Sequence, residues 1–363
     1  MSEPPRLNSI ARDFRPYQPS QLACSADGRA YLLARNETPF GPLPSVISAI
    51  TAAAAQSHRY PDPLSAELAG ELAGRLDVPA DNLVVGAGSV AFIQAILAAV
   101  AEPGANVIYA WRSFELYSLL AGLAGLASVR VPLVAERHDL EAMSAAVDAR
   151  TRLVMVCNPN NPTGTAVTKE ALVSFLDSVP AGCLVVLDEA YGEYMRCPGP
   201  GAELFRDRPN LIVLRTFSKA YGLAGLRVGY MLAHSYITSR IRNMCLPFGV
   251  SHVAQAAAVA SLRAERELLD RVTLTVAERT RVRAALLARG YVVPPSEANF
   301  VWIRLGRETT SFAARCAHAG VNVQPYPGEG VRVTIGSAED NEAFLAATAA
   351  GSATLQAKPR GDS

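Results

Sequence analysis

The chain has 363 residues, of which 50% are hydrophobic and 18% are charged, and its formal net charge is +1 at pH 7. This length allows one large hydrophobic core or two unequal ones, and the balanced charge, without a basic run, excludes the footprint of a nucleic-acid-binding protein. The five histidines and six cysteines show no ligand-like or paired spacing, so we expect no metal site, no disulfides and a cytoplasmic protein.

The first 44 residues are polar and rich in proline, and we expect them to pack with a small C-terminal domain rather than to form a secretory signal. From residue 45 to residue 262, short apolar runs alternate with helical patterns such as 90–101 and 169–178. We predict strands at Leu83–Val85, Val107–Tyr109, Val129–Pro132, Leu153–Cys157, Leu184–Leu187, Leu211–Leu214 and Val228–Leu232. Strands that alternate with helices predict an α/β fold whose mostly parallel, seven-stranded sheet is covered on both faces.

The uncharged stretch 83–101 is long enough to question as a membrane span. It is interrupted by Gly86, Gly88, Ser89 and Gln94, which favours a buried strand, a tight turn and a buried helix. We therefore expect no membrane segment and no membrane partner.

The pattern changes after residue 262. A long charged amphipathic pattern, Ser261–Arg289, stops at Gly290, a residue typical of helix ends. Two short strands follow, Asn299–Leu305 and Val331–Ile335, with a helix between them. This α+β layout predicts a second, smaller domain over residues 263–363, whose last residues, Ser352–Ser363, we expect to be frayed.

A single lysine, Lys219, lies in the run 215–227, directly after the sixth predicted strand. Apolar surroundings would lower its pKa and make its amine nucleophilic. Thr216, Ser218 and Arg227 would supply hydroxyl and guanidinium donors for a phosphate close to that amine. An amine beside a phosphate socket is what covalent binding of pyridoxal 5′-phosphate requires, although a lone lysine after a strand is more often a surface residue.

The sequence Gly-Ala-Gly-Ser at 86–89 follows a predicted strand and opens a predicted helix. Small residues there let backbone N–H groups approach a phosphate at the helix N-terminus. The same letters fit a GxGxxA dinucleotide fingerprint, but the acidic residue expected about 20 positions later is missing. A plain tight turn without a ligand remains an alternative, and the donors around Lys219 favour a phosphate-binding turn.

Polar residues also follow two neighbouring strands. The turn at 158–164, Asn-Pro-Asn-Asn-Pro-Thr-Gly, is rigid and lies at a strand's carboxyl end, where open α/β sheets bind ligands. Asp188 ends the next strand, and a carboxylate buried there is costly unless it is paired. A protonated pyridine nitrogen is a partner of the right sign, and Tyr191 could reach the phenolic oxygen of the same ring. A magnesium-binding Asp-Glu pair and a helix N-cap remain alternatives.

These motifs, with the early NETPFGP (Asn36–Pro42) and RYPDP (Arg59–Pro63), occur in an order that resembles the fold-type-I pyridoxal-phosphate aminotransferases. Within that family the sequence resembles the branch of the histidinol-phosphate aminotransferases. The runs WRSFELY (Trp111–Tyr117) and PF-V-S (Pro247–Ser251) resemble the actinobacterial aromatic (phenylalanine) aminotransferases in particular. The resemblance extends from about Ala34 to Gly336.

The resemblance implies a role for each matching position. Lys219 would carry pyridoxal 5′-phosphate and move the proton, while Asp188 and Tyr191 would complete the catalytic set. The implied cofactor-binding residues are Tyr60 of the neighbouring subunit, Ala87, Gly88, Ser89, Phe114, Asn161, Asp188, Tyr191, Thr216, Ser218, Lys219 and Arg227. The implied substrate contacts are Arg332, which would hold the carboxylate, with Asn36, Asn161 and Gln324. The active unit would be a homodimer with shared sites.

One position departs from the histidinol-phosphate pattern, because Gln324 stands where that pattern commonly has a second arginine. A missing guanidinium weakens binding of a phosphate dianion and leaves room for a neutral side chain. We therefore expect transamination between aromatic amino acids and 2-oxo acids. A histidinol-phosphate aminotransferase and a pyridoxal-phosphate decarboxylase of the threonine-phosphate type remain alternatives. A non-catalytic regulator would need a DNA-binding domain, for which the chain shows no basic patch.

Overall fold

The structure is a computed structural model, and it describes residues 22–26, 28–197 and 199–349. Its strands are β1 (Tyr31–Leu32), β2 (Leu83–Gly86), β3 (Asn106–Trp111), β4 (Ala127–Pro132), β5 (Thr151–Cys157), β6 (Leu184–Asp188), β7 (Leu211–Thr216), β8 (Gly229–Leu232), β9 (Phe300–Arg304), β10 (Val321–Asn322), β11 (Gln324–Tyr326) and β12 (Gly330–Thr334). Its helices are α1 (Pro44–Ala54), α2 (Ala66–Leu76), α3 (Ser89–Val100), α4 (Glu115–Leu123), α5 (Leu140–Ala145), α6 (Lys169–Ser178), α7 (Gly201–Leu204), α8 (Ser235–Met244), α9 (His252–Arg263), α10 (Glu265–Ala288), α11 (Thr309–His318) and α12 (Ala338–Ala349). The frayed end expected at Ser352–Ser363 lies outside the described residues.

The predicted mostly parallel sheet is confirmed, with seven strands in the order β2-β8-β7-β6-β5-β3-β4. β8 runs antiparallel to both of its neighbours, and the other pairs are parallel. All seven predicted strands occur at their expected places, with ends that differ by one or two residues. These strands are predictable because both faces of the central ones are buried and their sequences are therefore continuously apolar.

Helices cover both faces of this sheet. On one face, Leu72 of α2, Phe175 of α6 and Ala258 of α9 belong to one core cluster. On the other face, Phe92 of α3 and Ile237 of α8 belong to a second cluster. The two faces together fix the carboxyl ends of β5, β6 and β7 in space. Within the described residues, none of the helices combines the length and the apolar character that crossing a membrane requires.

The prediction of one continuous helical pattern from Ser261 to Arg289 is wrong, because two helices meet there. Ala264, with φ −100° and ψ 19°, lies outside the helical region and separates α9 from α10. Leu268, near the start of α10, packs in the core below the large sheet, whereas Leu286, near its end, packs in the small-sheet core. α10 therefore connects the two cores. Gly290, with φ +84°, follows its end as expected.

The second core lies around an antiparallel sheet in the order β11-β12-β9. α11 lies between β9 and β10, as expected for the helix of this region. The sequence did not reveal β1, β10 and β11, which are two or three residues long and too short to show an alternating pattern. β1 pairs in parallel with β10, and Leu33 joins the core of the small sheet.

Candidate active site

A cavity of about 720 Å³ opens where the small sheet faces the carboxyl ends of β5, β6 and β7. Its volume is within the range of sites for small molecules. The structure brings most of the predicted site residues to its walls: Asn36, Ser89, Phe114, Asn161, Asp188, Tyr191, Thr216, Ser218, Lys219, Arg227, Gln324 and Arg332. Ala87 and Gly88 lie in the turn that leads into Ser89 and α3.

A cup of hydrogen-bond donors lies at the N-terminus of α3. Gly88 has a φ of +83°, and a Cβ atom there would lie 2.5 Å from Nη2 of Arg227, so this position needs glycine. Arg227 donates to the hydroxyl of Ser218 at 3.2 Å, and Thr216 donates to the same oxygen at 3.0 Å. Hydroxyls, a guanidinium and a helix N-terminus in one place suit a phosphate group.

The amine of Lys219 lies between this cup and Arg332. Its Nζ atom donates to the carbonyl oxygen of Arg35 at 3.0 Å. Burial lowers the pKa of Lys219 from 10.5 to about 8, helped by the positive charges of Arg332 and Arg227 and opposed by the carboxylate of Glu37. About one tenth of this amine is therefore a nucleophilic free base at pH 7.

The carboxylate of Asp188 is buried at the end of β6. Tyr117 donates its hydroxyl to Oδ2 at 2.7 Å, and the backbone N–H of Ala190 donates to Oδ1 at 3.2 Å. Burial raises the pKa of Asp188, and these two hydrogen bonds oppose that rise. Asp188 therefore presents a fixed acceptor to the cavity.

Tyr117 is a site residue that the sequence analysis missed, although it lies in the run that resembled aromatic aminotransferases. It is fully buried on α4. A buried tyrosine hydroxyl needs a hydrogen-bond partner, and this requirement was the signal that could have identified Tyr117. The partner, Asp188, is 71 positions away, so the sequence did not identify it.

Tyr191 and Asn36 also line the cavity and contact each other. Asn36 donates its side-chain amide to the Tyr191 hydroxyl at 2.8 Å. The backbone N–H of Asn36 donates to the hydroxyl of Thr334 on β12 at 2.9 Å. The ring of Tyr191 packs edge-to-face on Phe300, with centroids 5.1 Å apart. Asn36 thus joins the end of the large sheet to the small sheet at the cavity.

Arg332 on β12 is a buried cation at the cavity wall. It donates to Oδ1 of Asn161 at 2.6 Å and to the carbonyl oxygen of Ala34 at 2.5 Å. Its Nε atom is buried without a hydrogen-bond partner among the described residues. An unsatisfied guanidinium N–H favours binding of an anion, and a carboxylate matches its fork. Gln324 lies directly opposite on β11.

Tyr60 is not brought to this cavity. Its side chain is 83% exposed, and its ring packs against Phe248 with centroids 4.9 Å apart. Leu64 and Leu246 are exposed as well. The predicted contact of Tyr60 with the cofactor of a neighbouring subunit stays a prediction.

The donors of the cavity fit pyridoxal 5′-phosphate. The cup of Gly88, Ser218 and Arg227 offers donors for its phosphate, with space that a side chain at position 88 would fill. The amine of Lys219, with its lowered pKa, matches its aldehyde, and the buried carboxylate of Asp188 matches its pyridine nitrogen.

Comparison with known proteins agrees with this chemistry. The sequence model of the family "Aminotransferase class I and II" matches residues 30–347. An aromatic amino acid aminotransferase of Thermobifida fusca is 59% identical over 349 residues, which are 95% of this chain and 97% of that protein. One of Streptomyces coelicolor is 52% identical over 344 residues, with 94% and 96% covered. The crystal structure of a histidinol-phosphate aminotransferase from Sinorhizobium meliloti, in complex with pyridoxal 5′-phosphate, is 29% identical, has a TM-score of 0.88, and covers 96% of this chain and 98% of that one.

Proposed function

The chain belongs to the class I and II aminotransferase family, and we propose that it transfers amino groups between aromatic amino acids and 2-oxo acids. Pyridoxal 5′-phosphate is its cofactor. The observation that carries the proposal is the meeting of Lys219, Asp188 and Arg332 in one cavity. An amine of lowered pKa, a buried carboxylate and an unsatisfied guanidinium there match the demands of this reaction.

We assign the roles of the catalytic side chains from their contacts. When bound, the cofactor supplies an aldehyde that condenses with amines and a ring that accepts electrons from the Cα of the substrate. Lys219 would hold the cofactor and, as a free base, take the Cα proton and return it. Asp188, fixed by Tyr117, would accept a hydrogen bond from the ring nitrogen. Tyr191 would direct its hydroxyl towards the ring oxygen, supported by Asn36.

The remaining roles concern binding and orientation. Arg332 and Asn161, already in contact, would hold the substrate carboxylate and so orient the Cα–H bond. Phe114 would pack on the cofactor ring and exclude water from it. The proposed phosphate contacts are Ala87, Gly88, Ser89, Thr216, Ser218 and Arg227.

The preference for aromatic substrates is supported by other residues that line the cavity. Leu116, Leu119 and Tyr326 contribute apolar surface to the cavity, and Gln324 contributes a neutral amide. An aromatic ring can bury its area there, whereas a phosphate would lack a second guanidinium. The relatives that are 59% and 52% identical are named aromatic amino acid aminotransferases.

We further propose a cytoplasmic homodimer. The exposed pair of Tyr60 and Phe248 offers an apolar surface to a second copy of this chain, whose phosphate cup Tyr60 would complete. All six cysteines are free, which suits a reducing compartment. Residues 45–262 and 263–363 are proposed as the large and small domains, with residues 1–44 packing on the latter.

A panel of amino donors with one 2-oxo acid acceptor tests the substrate proposal. Phenylalanine, tyrosine, histidinol phosphate and phosphothreonine would be compared by kcat/KM, with Lys219→Ala as the inactive control. We expect phenylalanine or tyrosine to give the highest value. A higher value for histidinol phosphate would replace the proposal with that activity, and release of carbon dioxide from phosphothreonine would indicate a decarboxylase.

A further inference from the structure

Two ion pairs connect the small sheet to loops of the large domain beside the cavity, and the arginine lies on the large-domain side in one pair and on the small-sheet side in the other. In one, Arg112 of the β3–α4 loop contacts Glu329 in the turn between β11 and β12. In the other, Glu136 of the β4–α5 loop accepts from Arg304 at the end of β9, at 2.5 Å. We call these four residues the ion-pair clasp.

The first pair has the geometry of a specific contact. The Nε atom of Arg112 lies 3.1 Å from each carboxylate oxygen of Glu329, and Nη2 also donates to that carboxylate. The side chain of Arg112 is only 20% exposed, and that of Glu329 is 38% exposed. Glu115, which lines the cavity, lies 3.7 Å from the same guanidinium. A multiply hydrogen-bonded arginine–carboxylate pair of this kind is stronger than an ordinary surface pair.

The two pairs act on the same end of the small sheet. Arg304 is in register with Gly330, the neighbour of Glu329. The backbone N–H groups of Leu305 and Gly306 donate to the carbonyl oxygen of Glu329 at 3.1 and 3.0 Å. Glu329 and Arg304, one acidic and one basic residue of the small sheet, are therefore held next to each other where they contact the large domain.

The clasp also connects to the substrate wall. The guanidinium of Arg112 lies between the rings of Trp111, at 4.3 Å, and Tyr326, at 5.4 Å. Tyr326 lines the cavity, and its hydroxyl accepts from Arg332 at 3.4 Å. A shift at Glu329 therefore reaches the proposed carboxylate-binding arginine through two intervening residues, Arg112 and Tyr326.

We propose that Arg112 and Glu329, supported by Glu136 and Arg304, are positioning residues that fix the substrate wall of β11 and β12 against the cofactor side of the cavity. This proposal rests on the proposed function of the cavity. Lys219, Asp188 and Ser218 lie on the large-sheet side, away from the clasp. Removing the charge of Glu329, which lies on the small-sheet side, should therefore weaken the binding of the amino acid and leave the binding of the cofactor unchanged.

A double-mutant cycle on the holoenzyme tests this proposal. Glu329→Gln keeps the size of the side chain and removes its charge, Arg112→Gln removes the guanidinium and shortens the side chain, and the double variant completes the cycle. Each single variant should raise KM for phenylalanine about tenfold, the scale of a lost hydrogen bond to a charged group, with a smaller change in kcat. The double variant should cost clearly less than the product of the two single effects. Cofactor affinity, measured by absorbance, should not change in Glu329→Gln.

The matched control is Asp177→Asn. It removes the partner of Arg208, an arginine that is 17% exposed and lies 2.7 Å from Asp177 on the large-domain side alone. This control should leave KM unchanged. Multiplicative single effects, an unchanged KM, or a loss of cofactor affinity equal to the loss of substrate affinity would overturn the proposal.

Hydrogen exchange supplies a readout that needs no substrate. Peptides covering residues 324–334 should exchange several-fold faster in Glu329→Gln than in the wild type or in Asp177→Asn. If the wild type were inactive on aromatic amino acids, the proposed function would fail, and this measurement would still decide the clasp. Unchanged exchange in these peptides would overturn it.

Discussion

The lowered pKa of Lys219 gives a prediction whose size can be worked out. A shift from 10.5 to about 8 means that, at pH 7, about 300-fold more of this amine is a free base than of an ordinary lysine. The charges around Lys219 determine in which direction its pKa moves in two variants. Arg332→Gln removes a cation and should raise the pKa, whereas Glu37→Gln removes an anion and should lower it.

Competitive acetylation of the cofactor-free protein at a series of pH values, followed by mass spectrometry of its peptides, measures this pKa. The chain has three lysines, Lys169, Lys219 and Lys358, so the assignment of the label is simple. We expect the labelling of Lys219 to rise with a midpoint near 8, and to move upward in Arg332→Gln and downward in Glu37→Gln. A midpoint near 10, or shifts of both variants in one direction, would refute the reasoning.

Four further predictions address the other site residues. Borohydride should trap the cofactor on the peptide with Lys219, and Lys219→Ala should lose at least ~10²-fold in rate; a label on another lysine would contradict this assignment. Tyr117→Phe should raise the pKa of Asp188 further and weaken cofactor affinity by about tenfold, as measured by absorbance titration, while an unchanged affinity would make the Tyr117 contact dispensable. Mixed dimers of Tyr60→Phe and Lys219→Ala should regain activity above either parent, and no gain after proven subunit exchange would argue against shared sites. Gln324→Arg should raise kcat/KM for histidinol phosphate by a factor equivalent to on the order of 1.5–3 kcal/mol, and an unchanged kcat/KM would mean that this position does not set specificity.

The sequence by itself determined the large sheet and the identity of most cavity residues. Its central strands are buried on both faces, so each appears as a continuous apolar run. Lys219, Asp188 and Asn161 come just after such runs, and the carboxyl ends of parallel strands meet at one edge. A pattern local to each strand was therefore enough to predict that these side chains converge.

Only the tertiary structure decided the contacts between distant segments. The break at Ala264 interrupts a sequence that is amphipathic on both sides of it, so the pattern indicated one helix. The strands β1 and β10 exist because they pair with each other, since two residues carry no alternation. The hydrogen bond of Tyr117 to Asp188 and the ion pair of Arg112 with Glu329 join positions 71 and 217 residues apart. The chain has 34 basic and 33 acidic side chains, so charge alone cannot identify which acidic residue pairs with Arg112. Packing in three dimensions decides which pair forms.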